Sequence, residues 1–212
     1  MYNVSVSPHL RTQDSTKTIM GDVALALLPI LAFGIYHFGL PALFVTVLCV
    51  VSSVLFELLF EVITKRPITI FDNSALVTGL ILAVNLPASV PWYIPVLGSG
   101  FAIVIVKMLF GGLGQNFMNP ALGARCFLLI SFAAKMGDFA MYKVYSASFS
   151  ELFKDGKIKD CLYLLAGKTD TAIDAVAGAT PLAQLGDGKE LDLTSLFLGM
   201  HGGCIGEVSA LA

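Results

Sequence analysis

Residues 174–180 read Asp-Ala-Val-Ala-Gly-Ala-Thr, with Pro181 next, inside a long polar stretch of an otherwise strongly apolar chain. The group that could be modified is the Thr180 hydroxyl. A threonine hydroxyl is a poor nucleophile, so attaching anything to it requires an enzyme that binds the surrounding segment. Such a target has to be exposed and conformationally permissive. Ala177, Gly178 and Ala179 supply small side chains and a flexible backbone, so the segment can enter another protein's active site. Pro181 removes a backbone donor and limits helix formation at the target. An ordinary surface turn has a similar composition, and the segment alone does not choose between the two.

Residues 111–121, GGLGQNFMNPA, form the second candidate. The glycines permit close backbone approach to a ligand or to a neighbouring helix. Asn116 and Asn119 offer amide donors and acceptors, and Asn119-Pro120 starts a helix whose N-terminus is a partial positive pole. Asn116, Asn119 and Arg125 are the candidate cofactor contacts here. A tight re-entrant turn packed on small residues accounts for the same pattern equally well. The loop is not a phosphate-binding Walker loop, because no Gly-Lys-Ser/Thr follows. The end of the chain, HGGCIGEVSALA at 201–212, is again Gly-rich and carries one acid. Its loose likeness to the 111–121 loop suggests two related halves, a frequent plan in membrane transport folds.

Three acids fall in apolar surroundings. Ionisable groups inside a span are costly and are functional candidates by default. Asp22 lies in the first turn of a span, where an acid suits the helix dipole. Glu57 and Glu61 are one turn apart near a span end and close in sequence to Lys65. The expectation for both is an interfacial position with ion pairing, and an ion relay is the alternative.

These residues must be positioned by membrane helices. Apolar runs at 19–38 and 42–63 each approach the ~20 residues that cross a bilayer core. The first comes after a polar start with Ser15 or Thr16 as cap. No cleavable signal pattern is evident, and the run reads as a retained span. Lys65-Arg66-Pro67 ends the second. Residues 73–86 are apolar but short, with Asn85 near the end and Pro87, Pro91 and Pro95 after it, which reads as a short, tilted or broken span. Trp92 and Tyr93 anchor the next, which runs to residue 110, and another extends over 120–134. The expected organisation is a cytoplasmic segment at 1–18, a bundle of about five spans at 19–134, an extracytoplasmic segment at 135–194, and the start of a further span at 195–212 that looks cut short.

Orientation comes from positive charge in short loops. Arg11, Lys17, Lys65, Arg66, Lys107 and Arg125 are expected on one side, the cytoplasm, and Thr180 on the other. This reading depends on residues 73–86 crossing; re-entry would invert every later segment.

Composition agrees. The chain has 212 residues, 56% hydrophobic and 13% charged, with net charge −2. Soluble domains carry about a quarter charged residues. The mean hydropathy is +0.81. No basic patch interleaved with aromatics supports nucleic-acid binding. Cys49, Cys126, Cys161 and Cys204 include no C-x-x-C pair, so no metal site is assigned to this chain alone. The fold class expected is an all-α integral membrane protein, a polytopic bundle with broken or re-entrant Gly-rich segments and one long extracytoplasmic loop.

Taken together, Ser7-Pro8-His9, residues 73–79 (NSALVTG), the Gly-rich Asn-Pro loop, the Ala-Gly-Ala-Thr-Pro segment and the final GEVSALA resemble the NqrB/RnfD family, on the side of the D subunits of Rnf electron-transport complexes. The related B subunit of the sodium-pumping quinone reductase shares these motifs but normally carries a longer N-terminal extension, which favours the Rnf side. The resemblance covers the whole chain. It implies an inner-membrane component of an ion-motive oxidoreductase that couples ferredoxin and NAD. FMN would be held through a phosphoester on Thr180 by a flavin transferase, with Asp174, Gly178 and Ala179 completing the attachment motif. Ala177 stands where related sites often show Ser. The other membrane, flavin and iron–sulfur subunits would be partners, and no residue here is asked to do acid–base catalysis. A second, non-covalent flavin and the identity of the ion, sodium or proton, are left open. The alternative from a different class is a cofactor-free small-solute channel or transporter, with a purely structural scaffold as a third.

Overall fold

The computed structural model describes residues 14–137, 140–142, 175–177 and 203–207. Helix α1 spans Thr16–Phe38 and begins at Ser15, whose side chain accepts from the Thr18 N–H at 3.3 Å. Gly39 ends it at φ 73°, a left-handed conformation that costs glycine little. The chain turns there and restarts as α2, Leu40–Thr64, with Pro41 in its first turn. The break is therefore Gly39 alone, and both long helices begin earlier than their apolar runs suggest. Hydropathy locates apolar runs, whereas caps set the ends.

Helix α3, Ser74–Val84, has 11 residues, about 16 Å at the α-helical rise. This is roughly half of a hydrocarbon core of ~30 Å. The Asp72 carboxylate accepts from the Ser74 N–H at 2.8 Å and so caps its first turn. Asn85 ends α3 and donates its amide to the Ile81 carbonyl at 2.7 Å. Helix α4, Tyr93–Gly100, continues into a π-helical segment, Phe101–Met108. The wider register shows in the Leu109 N–H donating to the Val104 carbonyl at 3.1 Å. Helix α5 is Pro120–Ser131, with Asn119 as N-cap accepting from the Ala121 N–H at 3.0 Å, and α6 is the single turn Ala133–Met136. Beyond it, β1 (Ala140–Tyr142) pairs antiparallel with β2 (Ala175–Ala177), Ala140 opposite Ala177. The described residues are thus mostly helical, with this short strand pair added to the all-α expectation.

Helix α2 lies at the centre, against α3, α4 and the π segment, while α5 lies along α3, α4 and the π segment. The core between them holds Val45, Leu82, Ile94, Ile103 and Leu128. Close helix approach rests on small residues. A Cβ on Gly79 would sit 2.9 Å from the Val50 Cα and 3.0 Å from the Cys49 carbonyl oxygen, both backbone atoms. Membrane helices commonly meet this way, backbone to backbone. Gly79→Ala should therefore destabilise the bundle by about 1–3 kcal/mol, because backbone cannot move aside as a side-chain tip can. Thermal unfolding in detergent measures this, with Gly21→Ala as the neutral comparison, since nothing lies within 4 Å of its added Cβ.

Only α1 and α2 are long and apolar enough, by length and composition, to cross a bilayer among the described residues. Their outward faces carry Ile19, Leu25, Leu28, Val47, Leu55, Val62 and Ile63, all exposed. Such a continuous apolar exterior is what a helix in lipid presents.

The two ends of the bundle are distinguishable. Arg66 donates to the Met108 carbonyl at 3.4 Å, so the end of α2 and the end of the π segment share one end. Tyr93 packs on Phe132 with ring centroids 6.0 Å apart at the other. The chain from Arg66 to Met108 therefore goes in and comes back. Whether α3 crosses or turns part-way, the side on which α5 begins is unchanged, so re-entry by α3 does not invert the later elements.

Candidate functional site

Near the Arg66 end, the interior holds charge. The Lys107 Nζ lies 2.6 Å from the Glu57 Oε1, and the two side chains are 3% and 1% exposed. The same ammonium donates to the Ser74 Oγ at 2.6 Å. Ser74 donates in turn to the Asp72 carboxylate at 2.5 Å. One turn after Glu57, the Glu61 Oε1 accepts from the Thr69 N–H at 3.0 Å and from its hydroxyl at 2.5 Å. The second oxygens of Glu57 and Glu61 are buried and have no hydrogen-bond partner among the described residues.

Each member is placed by local structure. Glu57 and Glu61, four apart on α2, share a face. The capped start of α3 presents Ser74 to it. The π segment brings Lys107 up from the opposite side. A charge at this depth is expensive unless paired and hydrogen-bonded. The structure changes the expected pairing: Glu57 and Glu61 are buried in the protein, and Glu57 pairs with Lys107, not Lys65. Lys65 is an exposed residue that ends α2 at φ 53°. Lys107 is correspondingly no loop charge. The signal for it was present in the sequence, as the one charged residue of the apolar run from Tyr93 to Phe110.

A second polar contact lies where α3 breaks. Arg125 of α5 donates to the Asn85 Oδ1 at 2.6 Å and approaches the Cys204 Sγ at 3.6 Å. Residues 203–207 dock there through backbone bonds. The Ile205 N–H donates to the Leu86 carbonyl at 3.0 Å and the Gly206 N–H to the Val84 carbonyl at 2.9 Å. Gly206 is required, because an added Cβ would lie 1.9 Å from the Val84 Cγ1. Arg125→Ala should loosen this joint. Maleimide labelling of Cys204, buried at 3% exposure, should rise severalfold in a Cys126→Ser, Cys161→Ser background. Unchanged labelling would show that the backbone bonds suffice.

Asn116, Asn119 and Arg125 are not drawn into one hydrogen-bonded set. Asn116 donates to the Met118 carbonyl at 3.0 Å, Asn119 caps α5, and Arg125 is engaged by Asn85. Nor do Lys107 and Arg125 count as loop charges for orientation. The positive charge that sets orientation is then that of Arg11, Lys17, Lys65 and Arg66, of which Arg11 lies outside the described residues.

Of the attachment motif, β2 covers Ala175–Ala177, held against β1 beyond the Phe132 end of the bundle. Asp174, Gly178, Ala179 and Thr180 lie outside the described residues. The fit to a phosphoester rests on donor chemistry and on this anchor. Thr180 follows the last residue of the strand, Ala177, by three positions in sequence.

The chain is similar to known proteins over nearly its whole length. The chain is 47% identical over 214 residues to the D subunit of the "Na(+)-translocating ferredoxin:NAD(+) oxidoreductase complex" of Acetobacterium woodii, covering 99% of this chain and 58% of that protein. It is 36% identical over 222 residues to the D subunit of the "Proton-translocating ferredoxin:NAD(+) oxidoreductase complex" of Clostridium ljungdahlii, covering 100% of this chain and 59% of that protein. A similar match, 36% over 198 residues, 92% of this chain and 56% of the relative, is to the D subunit of the "Ion-translocating oxidoreductase complex" of Shewanella amazonensis. The chain thus spans less than two thirds of the length of these relatives. A family model described as "NQR2, RnfD, RnfE family" matches residues 3–212. With lipid-type helix exteriors, a buried ionic interior and this similarity, the chain is a membrane protein belonging to the NQR2, RnfD, RnfE family.

Proposed function

We propose that this chain is the D subunit, a membrane component, of an ion-translocating ferredoxin:NAD oxidoreductase complex, with FMN esterified to Thr180 and electron flow coupled to cation movement. The observation that carries the reading is the similarity along the chain to relatives whose names state that activity. The attachment segment supports the flavin. FMN accepts and gives electrons singly or in pairs, which suits a relay between one- and two-electron partners. The chain's own work is to hold the cofactor on one side of the membrane, next to β2, and to keep a polar interior inside the bundle. The basic end with Lys17, Lys65 and Arg66 faces the cytoplasm by the positive-inside rule, which puts Thr180 outside. A flavin transferase and the other subunits of the complex are its partners. Asn116 and Asn119, in the loop before α5, are candidate contacts for a second flavin, and Arg125 joins them only if it gives up Asn85.

Proteoliposomes containing the complex test this. Ferredoxin-driven NAD reduction should proceed with cation movement across the membrane, and an uncoupling ionophore should abolish the gradient while electron transfer continues. Electron transfer without any gradient would remove the coupling. The broken helix α3 and the buried ionic interior would also suit a cofactor-free solute transporter. A chain that carries no flavin when its transferase is present favours that reading.

A further inference from the structure

We propose that Lys107 is a built-in cation that fills a monovalent-cation site formed by Glu57 and Glu61, and that its withdrawal opens that site. This inference rests on the ion-coupling reading above and adds the residue that controls access. The observations are geometric. The Lys107 ammonium sits against one oxygen of Glu57 at 2.6 Å, and its remaining reach is satisfied by Ser74 at 2.6 Å. The other oxygens of Glu57 and Glu61 are buried without a hydrogen-bond partner among the described residues. Glu57, Glu61 and the half-buried Asp72, reached through Ser74, gather around one ammonium, so the cluster holds more negative charge than Lys107 compensates, and removing the ammonium raises that excess by one. Buried carboxylates in that condition bind a cation or a proton. The Thr69 N–H and hydroxyl both donate to the Glu61 Oε1 and fix that carboxylate, leaving its other oxygen as the acceptor without a hydrogen bond among the described residues.

The segment that carries Lys107 has a second register open to it. Phe101–Met108 is π-helical, and π-helical turns inside helices are rare and concentrate at functional positions. Returning these residues to i→i+4 bonding would rotate each successive side chain relative to Gly100. Lys107, next to the far end, would collect nearly all of that rotation and leave Glu57. A cation entering as the ammonium leaves keeps the interior's charge constant. The nearby Arg66 is exposed and bonds the Met108 carbonyl, so it does not replace Lys107 inside.

The test uses the purified complex carrying Lys107→Gln, with sodium chloride and choline chloride at equal ionic strength as probes. The expected result is a variant that loses thermal stability in choline and regains it saturably in sodium, whereas the wild type responds little to either. Adding Glu57→Gln to Lys107→Gln should abolish the sodium response. In sealed proteoliposomes without electron donor, Lys107→Gln should leak sodium at least tenfold faster than wild type, and Lys107→Arg, which keeps the charge, should not. Equal stability of Lys107→Gln in the two salts, or failure to accumulate when prepared in either, would show that Lys107 only holds the fold and overturn the proposal. Redox-driven uptake by the wild type is scored separately. Its absence would sink the coupling reading, while sodium rescue of Lys107→Gln would still establish the site.

Discussion

Thr180→Val abolishes covalent flavin on this chain when the flavin transferase is co-expressed, and electron transfer through the complex falls to background. The substitution keeps shape and removes the oxygen, and without that oxygen no phosphoester forms. In-gel fluorescence and intact mass check the first part. The native chain should show yellow fluorescence and the added mass of a whole FMN group less one water, and the variant neither. Thermal unfolding of the variant beside the native chain checks that any loss is chemical and not a loss of fold. Thr180→Ser separates chemistry from recognition. It retains a hydroxyl, so partial flavinylation is expected if the transferase reads the small residues before it. Flavin retained in Thr180→Val would move the attachment site elsewhere and leave residues 174–180 as an ordinary turn.

Lys107→Met in an ion-poor buffer is the second large effect, a loss of about 3–5 kcal/mol in bundle stability. The cost comes from the partner left behind. Glu57 would be a buried carboxylate whose neighbours include Glu61 and no compensating cation. The double variant Glu57→Leu/Lys107→Met should recover most of the loss, because replacing both members of a buried pair by apolar groups is often neutral. That double variant should also lose coupled cation uptake. The combination of restored stability and lost uptake distinguishes an ion-handling pair from a structural one. Thermal unfolding of the assembled complex gives the first quantity and proteoliposome uptake the second. Recovery of both by the double variant would mean the pair does no work in transport.

Much of this molecule was legible in order along the chain. The two long helices arise from apolar runs bounded by Ser15, Gly39 and Lys65, each of which ends or begins a helix for a local reason. Asn119-Pro120 was readable as a helix start, and the cap bond is there. Asn85 and the prolines after it were readable as a break, and α3 stops at Val84. Local rules succeed at these points because capping, backbone φ and the missing proline donor act over a few residues.

The sequence by itself therefore determined the class of molecule, with membrane helices set by hydropathy and their ends set by caps, and it supplied the small-residue segment around Thr180 on which the flavin proposal rests. The tertiary structure alone decided which charges meet. Glu57 and Lys107 are fifty residues apart, and their pairing required α2, the start of α3 and a π-helical register to converge. Lys65, much nearer in sequence, ends its helix in a left-handed turn and is exposed. The same holds for Arg125 with Asn85, forty residues apart, and for Gly206 against Val84. The physical reason is range. Backbone and hydropathy preferences are local and sum along the chain. The pairing of buried charges depends on which helix faces approach closely enough to exclude solvent, and only the packed bundle specifies that.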